Sequence, residues 1–118
     1  MAFLGGAATF ALLSCAAGEI ERVGVLDAQF RPVSTLTSAA DLAAFSGLWA
    51  ARVEESSRTS IAADYKIDIR SEGRSVRWLY DSEGFVQVLS VQQRPVYRLP
   101  SPAAFNALLG ITVAWGPG

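Results

Sequence analysis

Histidine is absent from this chain of 118 residues, and cysteine occurs once. Each scarcity excludes something. Without an imidazole there is no near-neutral general base and no nitrogen ligand of the kind transition metals favour. With Cys15 alone, no internal disulfide can form. No glycine-rich phosphate loop is present, and no Asp-rich calcium loop of EF-hand type. Asp64 and Asp68 are too few to make a metal cage. The net charge of −1 provides no dense basic surface, so nucleic acid is not an expected partner. Lysine is as rare as cysteine; nine arginines stand beside Lys66, a coding bias rather than a physical signal.

What is present is enough for one folded domain. Half the residues are hydrophobic (51%), which argues against disorder for the body of the chain. Roughly 100 residues can build one core of two packed layers, and too little beyond it for a deep, walled cleft.

Charge is also missing locally. Met1 to Gly18 carries no charged side chain, and its apolar part, Ala2 to Leu13, has the length of a signal-peptide core and is short for a membrane span. Small residues follow at Ser14, Ala16, Ala17 and Gly18. The run Leu12-Leu13-Ser14-Cys15 resembles the lipobox of bacterial lipoproteins, although the segment opens without the customary Lys or Arg. That resemblance implies a signal peptide over residues 1–14 and a single domain over 15–118 whose N-terminal cysteine is acylated through sulfur. Each acyl methylene would contribute about 0.8 kcal/mol of membrane binding, so two or three chains anchor durably. Ala16, where Asp would retain the protein on the inner membrane, implies the outer membrane of the cell envelope, facing the periplasm. A short uncleaved anchor and a buried structural segment are the competing readings.

Past Gly18 the pattern is that of a small α+β domain. Strands are expected at about 21–27 and, more weakly because of Pro32, at 31–36. The segment 38–55 reads as one long helix. Ser38 and Asp41 start it, Leu42, Phe45, Leu48, Trp49 and Val53 form its buried stripe, and Gly47 offers close approach to a sheet. Segments 64–71 and 75–81 alternate: Tyr65, Ile67, Ile69, Val76, Trp78 and Tyr80 face inward, and Lys66, Asp68, Arg70 and Arg77 outward. Tight turns at 71–74 and 81–84 link them to 85–91, and 94–100 supplies a last strand. Ser101, Pro102 and Gly110 bracket a short closing helix. Ile111, Val113 and Trp115 are candidates for a further edge strand. The expected order is ββαββββα, an antiparallel meander of four to six strands packed by the long helix. In this general layout the body is similar to small bacterial lipoproteins of no assigned function, a likeness that carries no functional residues across.

Chemistry is sparse. Nucleophilic catalysis would have only Lys66 or a carboxylate as base, and Asp68, Glu72, Asp81 and Glu83 fall in turns or on the polar face, where they ionise normally. Trp49, Trp78 and Tyr80 read as core, with a ligand-stacking platform as the alternative. The candidate binding surface is Lys66, Arg70, Arg77 and Arg98 on the outward sheet face, with Arg74 and Arg94 nearby. It is either self-paired with neighbouring acids or a docking surface for a protein or anionic envelope partner. The function expected is a membrane-anchored, non-catalytic lipoprotein that binds such a partner, with no cofactor or metal and no oligomeric state specified. The alternatives are a small carboxylate hydrolase and a soluble cytosolic interaction module.

Overall fold

The computed structural model describes residues 19–112, so the Cys15 motif, Val113 and Trp115 lie outside the described residues. The chain is α+β. Strands β1 (Ile20–Asp27) and β2 (Pro32–Leu36) precede helix α1 (Ala39–Ala50). Strands β3 (Val53–Glu54), β4 (Tyr65–Ser71), β5 (Arg74–Asp81), β6 (Phe85–Val88) and β7 (Val96–Arg98) follow, and helix α2 (Pro102–Leu109) closes the fold. All seven strands join one open sheet in the order β2-β1-β4-β5-β6-β7-β3, every pairing antiparallel. The order along the chain is therefore ββαβββββα, one strand more than the patterning suggests.

The turns follow from local chemistry. Between β4 and β5, Glu72 and Gly73 both have positive φ (54° and 76°), the primed turn whose twist suits a hairpin. Between β1 and β2, Asp27 Oδ1 accepts the backbone N–H groups of Gln29 and Arg31, each at 2.9 Å. The Arg31 N–H, more than any other group, holds the Asp27 carboxyl below its ordinary pKa.

Register places Val23, Val25, Ile67, Ile69, Trp78, Tyr80 and Val86 on one sheet face, and both helices cover that face. The centre of the core is aromatic: the Phe105 ring lies 5.4 Å from Phe45 and 5.3 Å from Tyr80. Leu42, Phe45, Leu48 and Trp49 form the helix stripe as the spacing predicts. Ser38 Oγ accepts the Asp41 N–H at 3.1 Å.

The long helix is shorter than expected. It ends at Ala50, a 12-residue element, and Val53 lies in β3, half exposed and paired with Arg98 of β7. The sheet edge wins here because β7 supplies ladder hydrogen bonds to the backbone of Val53 and Glu54, which a helix end would leave open. Gly47 is exposed and meets nothing on the sheet, so it does not serve a close approach. Ser101 makes no side-chain cap bond, and α2 starts on Pro102 and ends at Gly110 in the left-handed conformation (φ 71°).

From β3 the chain returns to the sheet centre across the face opposite the helices. Glu55 donates its N–H to the Val96 carbonyl at 2.7 Å, and Gln87 Nε2 donates to the carbonyls of Thr59 (3.0 Å) and Arg94 (2.8 Å). The Arg58 guanidinium stacks 3.8 Å from the Phe85 ring. This crossing buries Gln87 and Val96, although both sit on the outward side of their strands.

Candidate functional site

Of the four cations expected on the outward face, Lys66, Arg70 and Arg77 are neighbours on β4 and β5, Lys66 and Arg77 both lying over the Phe30 ring, and Arg98 lies apart. Arg77 forms a two-pronged ion pair with Asp68, directly opposite it on β4, at 2.7 and 2.8 Å. The carboxylate raises the Arg77 pKa above its ordinary value. Arg70 lies 3.6 Å from Glu21 and Arg98 lies 3.4 Å from Glu55. Lys66 rests 4.4 Å above the Phe30 ring. Arg98 sits on β7, separated from β4 by β5 and β6, with the 55–64 crossing over the ground between. Each of these groups has a local partner, so the face is largely neutralised by its own acids.

The expected solvated acid Asp81 is instead buried, and its Oδ1 closes the 81–84 turn by accepting the Glu83 N–H at 2.9 Å. Glu55 gains its own stabilisation: a hydrogen bond from Ser57, and then Arg98, hold its carboxyl below the ordinary range. Among the described residues no group of three or more Cys, Asp and Glu side chains is placed to hold a metal ion.

The unusual arrangement lies on the helix-covered face, at the end of the sheet where β1 begins. Here α1 stops before the sheet does. Beyond its last turn, Ile69, Val76 and Trp78 floor a groove of about 780 Å³, with Trp49 and Ala50 as one wall and Ile20 as another. Val76 points toward the helix side, as its register with Ile69 predicts, yet is 46% exposed because no helix residue reaches it. Trp49 and Trp78 meet edge to face, ring centres 4.9 Å apart.

Arg52 closes the inner end. Its guanidinium lies 4.4 Å from the Trp49 ring and 5.4 Å from both Trp78 and Tyr97. Contacts of this kind each contribute about 0.5–2 kcal/mol, more as water is excluded. Nη1 donates to the Trp49 carbonyl at 2.9 Å, and Nε is buried with no hydrogen-bond partner among the described residues. No carboxylate among the described residues lies within ion-pair distance of Arg52. Burial lowers its pKa from the ordinary value, but a guanidinium stays charged throughout the physiological range. The result is a fixed cation at the base of an apolar groove, with Arg74 exposed and Glu19 at its lining.

Neither Arg52 nor the groove is among the residues that patterning singles out. Reading 38–55 as one helix places Arg52 on a solvated helix face, and Trp49 and Trp78 as plain core. Trp49 is nearly buried (9% exposed), while Trp78 is only half-buried and doubles as groove wall. The signal that could have found the site is Trp49 three residues ahead of Arg52, a spacing that brings a cation over a ring.

Compared with protein-family models, curated proteins and solved structures, the chain matches none.

Proposed function

We propose that this protein is a lipid-anchored, non-catalytic domain of the bacterial cell envelope that works by binding, through the groove that Arg52 closes. The observation that carries the reading is a cation with no carboxylate partner among the described residues, stacked on aromatic rings, at the base of an open apolar groove. Such a group costs free energy to hold partly desolvated, and an anionic ligand recovers it.

Placement supports the membrane side of the reading. Glu19, which lines the groove, follows Cys15 by four residues, so acyl chains on that sulfur would be tethered within roughly 14 Å of it. Strand direction puts the loop 89–95 at this same end of the sheet, and its Leu89 and Val91 are strongly exposed (54% and 105%). In this reading tether, groove and exposed apolar loop all face the bilayer. No helix among the described residues is long and apolar enough to cross a membrane.

The test has two readouts in intact cells. Radiolabelled palmitate enters the wild-type chain and not Cys15→Ala; equal labelling favours the soluble-module alternative. A photo-crosslinking amino acid at position 76 captures an envelope component, and capture falls at least tenfold when Arg52→Gln is added. Absence of any adduct removes the groove from the function.

A further inference from the structure

The groove's chemistry narrows its ligand. Its floor and walls are aliphatic and aromatic, and the strand backbone beneath them is already committed to the β1–β4–β5 ladders. A peptide laid there would find few unpaired backbone groups to bond with, which makes peptide recognition by strand addition a poor fit. The polar groups that do meet the groove are Ser46, Ser71, Arg52, Arg74 and Glu19, so the arginines leave the lining with one more positive than negative charge. A guanidinium presents a planar fork that matches a carboxylate or a phosphate. The volume, about 780 Å³, falls inside the range of roughly 300–1,000 Å³ typical of small-molecule sites.

We infer that the groove binds a single-chain anionic amphiphile: a carboxylate or phosphate head held by Arg52, with Arg74 at the mouth, and an alkyl chain lying over Ile69, Val76 and Trp78. The inference rests on the groove being the binding site proposed above. It assigns the charge to the head and the apolar burial to the chain, so the two can be separated experimentally. A polar head without a chain would lose the apolar contacts, and a chain without charge would leave the guanidinium unpaired.

Brominated alkyl chains quench tryptophan fluorescence on contact, and Trp49 and Trp78 both line the groove. The full chain is titrated with 11-bromoundecanoate and, separately, with 11-bromoundecanol. Saturable quenching by the acid, with the alcohol at least tenfold weaker, is expected. Arg52→Gln weakens the acid at least tenfold and leaves the alcohol unchanged. Val76→Glu, at a position already 46% exposed, weakens acid and alcohol alike because both carry the chain, while the far-ultraviolet circular dichroism stays that of wild type. Equal quenching by acid and alcohol, or acid binding unaffected in both variants, overturns the inference. Vesicles of phosphatidylglycerol with brominated chains supply the second arm. Quenching by vesicles alone assigns the head to a lipid within a bilayer; quenching by the free acid alone assigns it to a fatty acid. If no brominated probe binds but the crosslinker at position 76 still captures a macromolecule, the amphiphile is wrong and the groove's binding role stands. If neither occurs, both fall.

Discussion

The guanidinium of Arg52 lies 4.4 Å over the indole of Trp49, and the main-chain N–H of Arg52 donates to the Trp49 carbonyl at 3.2 Å. One residue thus finishes the helix that the other belongs to. The backbone and Nη1 of Arg52 meet one of the helix's terminal carbonyls, and its charge sits at the negative end of the helix dipole. Replacing Arg52 with Ala is expected to lower unfolding free energy by about 1–2 kcal/mol through lost stacking and capping. Lysine, which cannot stack as a plane, should recover less than half of that. Urea unfolding of the three chains measures both.

Tyr80 anchors the buried end of the core. Its hydroxyl donates to Asn106 Oδ1, and Asn106 Nδ2 donates to the Ser82 carbonyl at 2.9 Å, linking β5, the 81–84 turn and α2. Tyr80→Phe strands a buried acceptor and should cost about 1–3 kcal/mol. Burial, and then Asp81, pushes the phenol's pKa up from its ordinary 10.0. The unfolded chain therefore loses this proton first. The stabilisation is complete below pH 10.0 and declines as pH rises from there toward the folded pKa. Wild type should lose more stability than Tyr80→Phe between pH 10 and pH 11, as alkaline unfolding curves will show.

Gly47 in α1 and Gly84 in the 81–84 turn should respond oppositely to alanine. A Cβ at Gly47 meets nothing within 4 Å on an exposed helix position, so Gly47→Ala should stabilise by about 0.5–1 kcal/mol. Gly84 has φ 110° and a Cβ there would lie 3.0 Å from Pro102 Cβ. Gly84→Ala should destabilise by more than about 1 kcal/mol, since both backbone and α2 must shift. Thermal unfolding of the pair gives the contrast.

The Arg77–Asp68 pair has good geometry but is about a third exposed on both sides. A double-mutant cycle with Arg77→Ala and Asp68→Ala should return a coupling of no more than about 1 kcal/mol, reduced further in molar salt. A larger value would mean that the crossing segment shields this face from water.

The strands from Tyr65 to Val88 were legible because β4 alternates without a fault, β5 keeps Val76, Trp78 and Tyr80 on one face, and each turn carries its own signature, Glu72-Gly73 and Asp81 to Gly84. The stripe of α1 was legible for the same kind of reason. Val53 was not: its spacing fits a helix, and what removes it is the free edge of β7, supplied more than 40 residues later. Asp81 likewise reads as a solvated turn residue until the turn is packed against the body of the domain.

Sequence alone determined the charge-free N-terminus with its single cysteine, the alternating strands, the helix stripe and the lack of histidine chemistry, because all of these are properties of neighbours along the chain. Tertiary structure decided where α1 stops, which acids neutralise Arg70, Arg77 and Arg98, and that Arg52 lies among three rings from α1, β5 and β7. Those outcomes depend on groups tens of residues apart competing for the same surface. Burial and pairing energies settle that competition, and local patterning does not record them.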